Sequence, residues 1–205
     1  MWRNAVRRSW KKSVIVREMI NVSYGSTDPT EKLLSNLAPT PFTMDGQYFA
    51  SVEGFWQGIK RHYTDPERAK IFLLAGISAK RAAPPSDFAA QVVWYAGKEF
   101  ALGGTAHQQL LKRAIAHKLR SHPNVLHLLE ATEEKTIIHD PKNAQGESYP
   151  PSLTIPHEVF AGFLLELREE FRSRTVPYLT TFDQFYSHVC PHPKPSEPMR
   201  MSAHF

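Results

Sequence analysis

The sequence predicts a mainly α-helical single domain with small β elements, and three observations carry that expectation. Apolar residues recur at three- and four-residue spacing through 105–120, 123–130 and 157–172, the period of helices with one buried face. Glycine, proline, Asp and Asn break residues 24–50 into apolar pieces short enough for brief strands and loops. At 205 residues and 41% hydrophobic, the chain is long enough for one core of ordinary size with tails to spare.

Taken in order, residues 1–19 form a basic extension: Arg3, Arg7, Arg8, Lys11, Lys12 and Arg17 all precede the first acid, Glu18. Setting those six aside leaves 19 basic residues against 20 acids, so the net charge of +5 belongs to the extension. A body this close to neutral argues against a dedicated nucleic-acid binder, whose basic footprint sits on the folded domain. The extension has some transit-peptide character, with a loosely docked arm as the simpler reading.

The domain is expected over residues 20–180. Asp45-Gly46, between Phe42 and Tyr48, predicts a hairpin turn. Ser51 then caps a helix running to about Tyr63, and Asp65-Pro66-Glu67 opens another with proline at its first position. The three long helices follow, and "HDPKNAQGESYPPSLTIP", residues 139–156, reads as a long polar loop of the kind that often carries function. Residues 181–205 read as a proline-rich tail.

A single cysteine, Cys190, excludes an internal disulfide and fits a reducing compartment. No apolar run approaches the roughly 18 residues of a membrane span, so no membrane partner is expected and a cytoplasmic location follows. His188, Cys190 and His192 offer metal-ligand types, but in a proline-rich stretch without a second ligand pair. Neither a metal nor a cofactor is expected.

Chemistry concentrates in "FASVEGFWQGIKRHY", residues 49–63. At 100° per residue, Val52, Phe55, Trp56, Ile59 and Tyr63 share one apolar stripe. Glu53, Gln57 and Lys60 line up along its edge, a carboxylate, an amide and an ammonium in one row. Gly54 and Gly58 lie just beyond, giving either an open strip beside a cleft or a surface for close helix packing. A carboxylate fixed near a positive helix end is suited to a developing oxocarbenium ion in glycosidic cleavage.

The segment "LSNLAPTPFTMDGQYFASVEGFWQGIK" resembles the opening of the NADAR (YbiA-like) family. Ser35, Asn36, Pro41, Phe42, Asp45, Gly46, Ser51, Val52, Glu53, Gln57 and Lys60 fall in the family's order. "AKIFLLAGISAKRAA", Trp94, "LLKRAIAHKLRSHPNVLHLLEAT" and "FAGFLLELREEF" follow it more loosely. Two elements depart: a Trp-Gly of the late loop is missing, and "IPHEVFAG" lacks an asparagine before its glycine.

The resemblance implies a YbiA-like fold and an N-glycosidase acting at ribose. The substrate so implied is an ADP-ribosyl nucleoside or ADP-ribosylated DNA or RNA, cleaved at guanosine or guanine. Phosphorylated riboflavin-pathway intermediates are the alternative substrate, and a non-catalytic ADP-ribose reader is the alternative class. Glu53 is implied to activate water and stabilise the anomeric cation. Lys60 would attack ring-opened sugar as a Schiff base or position phosphate. Gln57 lies between them. Asn36 and the Asp45-Gly46 turn would hold ribose hydroxyls, Trp56 or Trp94 would stack on a base, Lys80 and Arg81 would meet pyrophosphate, and Asp140 is the late-loop acid. The oligomeric state is left open.

Overall fold

The computed structural model describes residues 19–82, 91–142, 145–148 and 155–190. In chain order these form β1 (Met19–Asn21), α1 (Pro29–Leu34), β2 (Phe42–Met44), β3 (Gln47–Phe49), α2 (Val52–Gly58), α3 (Glu67–Phe72) and α4 (Gly76–Arg81). Then come β4 (Val92–Tyr95), β5 (Lys98–Ala101), α5 (Thr105–Ser121), α6 (Pro123–Glu130), β6 (Thr136–Ile138), α7 (His157–Arg172), a 3-10 turn (Pro177–Leu179) and α8 (Phe182–Val189). Helices dominate, and the strands form three two-stranded sheets: β1 with β6 in parallel, and the antiparallel hairpins β2–β3 and β4–β5. The basic extension before residue 19, and His192 with the tail beyond 190, lie outside the described residues. Among those described, no helix is long and apolar enough to cross a membrane.

Helix α5 is the axis of the core. Leu110, Leu111, Ala114, Ile115 and Leu119 are all buried, packed among β2, α2, α6, α7 and α8. The same helix buries three cations, Lys112, Arg113 and Lys118, the last in helical register with the buried Leu111, Ala114 and Ile115. Buried charge persists only when paired and hydrogen-bonded. Lys112 donates to Glu166 and Glu170 of α7, each at 2.7 Å, and Arg113 grips Asp45 with both terminal nitrogens, at 2.5 and 2.7 Å.

That Asp45 belongs to the β2–β3 turn predicted from Asp-Gly. Asp45 and Gly46 have φ of 51° and 76°, the left-handed pair that a two-residue hairpin requires. α3 begins at Glu67 with Pro66 in the capping position, one residue away from the expected proline-first start. α8 carries folded contacts past residue 180, where the tail was expected to begin: Phe185 is buried, and the Arg113 guanidinium lies 5.4 Å from its ring centroid.

α2 starts as expected, with Ser51 Oγ accepting from the Gly54 amide at 2.9 Å. It ends at Gly58 instead of near Tyr63. The Arg68 guanidinium donates to the carbonyls of Gly58 and Arg61, and the Ile59 carbonyl accepts from the Trp94 amide at 2.8 Å, so groups distant in sequence cap the helix early. Tyr63 therefore leaves the apolar stripe and is 43% exposed.

Gly54 and Gly58 exist for close packing, correcting the open-strip reading. A Cβ on Gly54 would lie 2.5 Å from the Leu74 carbonyl oxygen and 2.9 Å from that of Ile71. On Gly58 it would lie 2.3 Å from the Phe72 ring. Both glycines press against α3 and its end, which seats the opposite edge of α2 beside open space.

Candidate active site

That space is a cavity of about 310 Å³. Ser35, Asn36 and Leu37 form one edge, Glu53, Trp56, Gln57 and Lys60 a wall, and Lys80 and Leu111 come from α4 and α5. His139, Ile155, His157 and Phe160 close the far side.

The row read from helical spacing is a connected chain. Gln57 Nε2 donates to Glu53 Oε1 at 2.7 Å, and Lys60 Nζ donates to Gln57 Oε1 at 2.9 Å. Gln57 thus relays between the cation and the carboxylate, while Glu53 and Gln57 are only 8% and 6% exposed. Burial draws the Lys60 ammonium down from 10.5 to about 8, the Glu53 charge opposing the change. A fraction of free amine is therefore available near neutral pH. Glu53 sits in the first turn of α2, and its amide donates to the Asn36 carbonyl at 2.9 Å.

Trp56 is held in place from behind. Its ring stacks on His107 with centroids 3.9 Å apart and planes 2° from parallel, and Lys60 Nζ lies 5.5 Å from the Trp56 centroid. His107 Nδ1 accepts from the Gly103 amide at 3.0 Å, which places the proton of the neutral ring on Nε2. Burial, reinforced by the Lys60 charge, lowers its pKa to about 3, so the ring is neutral. Among the described residues Asn36 Oδ1 is buried without a hydrogen-bond partner, an unused acceptor on a residue that lines the cavity.

The far wall carries two imidazoles. His139 Nδ1 meets the Val22 carbonyl at 2.6 Å, and a carbonyl only accepts, so Nδ1 carries the proton. Burial lowers the His139 pKa against the pull of that carbonyl, and the charges of His157 and Lys80 lower it further. Its Nε2 is then the acceptor nitrogen of a neutral ring. The His139 and His157 rings meet edge to face at 5.0 Å. Sequence reasoning missed both, since they are two of ten scattered histidines; their only signal was a place at either end of the long polar loop.

Six of the expected site residues come together on the cavity: Asn36, Glu53, Trp56, Gln57, Lys60 and Lys80. Asp45 and Gly46 do not, because Arg113 and the Tyr95 hydroxyl, the latter at 2.8 Å, engage Asp45 in the hairpin turn. Trp94 lies elsewhere too, donating from Nε1 to Glu99 at 3.0 Å and meeting the His62 ring edge-on. Arg81 is exposed at the end of α4 and outside the lining. Asp140 follows His139 but turns to Lys142 at 2.6 Å, while its backbone is fixed by the Asn21 side chain.

The family model for bacteriophage protein GP30.3 matches residues 30–154. An uncharacterized 17.1 kDa protein from the Gp30–rIII intergenic region of Enterobacteria phage T4 is 31% identical over 108 residues, 52% of this chain and 70% of that protein. The NMR structure of the E. coli protein YbiA is similar in fold, with a TM-score of 0.54 and 19% identity over 83% of this chain and 95% of YbiA.

Proposed function

The chain belongs to the bacteriophage protein GP30.3 family, and we propose that it hydrolyses an N-glycosidic bond to ribose, removing ADP-ribose from guanosine or from guanine in nucleic acid. The observation that carries this reading is the Glu53–Gln57–Lys60 chain on the wall of the cavity. The YbiA-like fold and the NADAR resemblance of residues 34–60 support it, although a fold alone does not choose a substrate.

In this reading, Glu53 faces the anomeric carbon as the bond to the base nitrogen lengthens, stabilising the positive charge on the sugar. Water supplies hydroxide to that carbon, and its proton passes to the departing base. Gln57 orients the carboxylate through Oε1; among the described residues no hydrogen bond occupies Glu53 Oε2. Lys60, whose pKa is about 8, has the alternative role of attacking C1 of the ring-opened sugar, so that the C1–N bond to the base breaks as a Schiff base forms. Water then hydrolyses that Schiff base to free the sugar and the lysine. The amide of Asn36 meets a ribose hydroxyl. Trp56 forms a wall with one face covered by His107, which disfavours it as the base-stacking ring.

Lys80 lines the end of the cavity where α7 begins at His157 with no side-chain cap, beside the neutral His139 ring. That end suits the pyrophosphate of an ADP-ribosyl group, and it favours the ADP-ribosyl substrate over an uncharged nucleoside.

Incubation with ADP-ribosylated guanosine is expected to release free ADP-ribose and guanosine, detected by mass. Saturable binding without release identifies an ADP-ribose reader, and release from phosphorylated riboflavin intermediates alone identifies the other substrate class. Borohydride added during turnover distinguishes the roles of Lys60: an adduct on it supports the Schiff base, and its absence leaves direct attack by water.

A further inference from the structure

Lys118 is a buried cation outside the cavity whose hydrogen bonds all go to one place. It is 1% exposed on α5, and its Nζ donates to the carbonyls of Leu33, Leu34 and Ser35 at 2.7, 3.3 and 2.8 Å. No carboxylate pairs with it among the described residues. An ammonium taken out of water is costly unless its donors are used. Here they close the C-terminal end of α1, where carbonyls lack partners within the helix and the helix dipole is negative.

The segment fixed in this way is the edge of the cavity. Ser35, Asn36 and Leu37 all line it. The Asn36 carbonyl accepts from the Glu53 amide at 2.9 Å, and the Leu37 carbonyl accepts from the Gly76 amide at 2.8 Å. One buried ammonium thus ties α5 to a loop that caps α2 at Glu53 and touches the start of α4, the helix that carries Lys80.

We propose that Lys118 is a positioning residue of the site, holding the 35–37 edge so that Asn36 and Glu53 stand in working geometry. This inference rests on the reading that Glu53 performs the chemistry. A cation suits the task better than packed apolar side chains would, because three converging carbonyls fix the loop in position as well as depth. Burial draws its pKa down to about 7, while the three acceptors favour the charged form.

Lys118→Met keeps the length and apolar stem but removes the donors. It is expected to lower kcat about 10²-fold, the scale of a 1 Å misplacement, with a smaller change in KM. Hydrogen exchange supplies the readout that a merely structural role would not move. The Glu53 amide is expected to exchange faster in the variant, while amides in the middle of α7 keep their protection. Wild-type kcat and Glu53 exchange in Lys118→Met overturn the proposal, as does a loss of protection shared equally by α7.

Should the variant not fold, exchange in the wild type decides. The Lys118 ammonium protons and the Glu53 amide are expected to become exposed in one opening event, and separate openings overturn the coupling. A wild type that releases no ADP-ribose overturns the hydrolase reading, while the exchange experiments still decide whether Lys118 controls Glu53.

Discussion

Helices α2 and α5 both keep charged side chains out of water, with different partners. On α5, Lys112 contacts two carboxylates directly, and their hydrogen bonds outweigh the effect of burial and hold its pKa above the ordinary value. Arg113 contacts Asp45 with both terminal nitrogens, and Lys118 is bound by three carbonyls. On α2 an amide stands between cation and carboxylate, both ends border a cavity, and burial lowers the Lys60 pKa. Direct pairing with carboxylates fixes Lys112 and Arg113 as clasps, whereas Lys118, with no carboxylate partner among the described residues, has its pKa drawn down by burial to about 7. A relayed pair beside open space leaves an ammonium able to lose its proton and a carboxylate oxygen able to meet a ligand.

Breaking a clasp is the harshest test of that contrast. Asp45→Asn removes the charge opposite Arg113, which is buried on α5, and is expected to cost about 3–5 kcal/mol of stability in denaturant unfolding. Turnover per folded molecule should stay near wild type, because Asp45 lies outside the cavity lining. A collapse of turnover at full folding would return Asp45 to the site.

Gly54→Ala is expected to cost about 1–3 kcal/mol by overpacking, since the new methyl meets two backbone carbonyls that have little room to move. Unchanged thermal stability would contradict close packing against α3 as the reason for the glycine.

A further effect is on how stability varies with pH. Folded Lys60 loses its proton near pH 8 and the unfolded side chain near 10.5, so between those values the unfolded chain binds more protons. Lys60 therefore disfavours folding below about pH 8, and the disadvantage fades as pH rises to 10.5. Lys60→Met is expected to be more stable than wild type at pH 7, with the gap closing by pH 10.5; urea midpoints at the two values measure it. A gap that widens with pH contradicts the depressed pKa.

Much of this contrast was legible along the chain and part of it was not. α6 and α7 fall on the boundaries read from their apolar period and α5 runs one residue further, to Ser121, because long amphipathic helices follow local pattern. The Asp45-Gly46 hairpin and the Ser51 cap were legible for the same reason, being set by neighbouring residues. The end of α2 was not, because it is set by Arg68 and the Trp94 amide. The β4–β5 hairpin turns at Ala96-Gly97, a weaker signal than Asp-Gly, and three-residue β1 and β6 pair across more than a hundred residues. In the site, helical spacing put Glu53, Gln57 and Lys60 in one row. It carried no information on His139 and His157, which tertiary folding brings to the opposite wall, or on Asp45, whose partner is on α5.

The central claim, that the α2 row performs the chemistry, is tested most directly by comparing wild type and Glu53→Gln on ADP-ribosylated guanosine, with release and binding measured on the same preparations. The account predicts that release of ADP-ribose falls about 10³-fold, roughly 4 kcal/mol in barrier, while ADP-ribose binding and unfolding midpoint are kept. Equal release by the two proteins would contradict it.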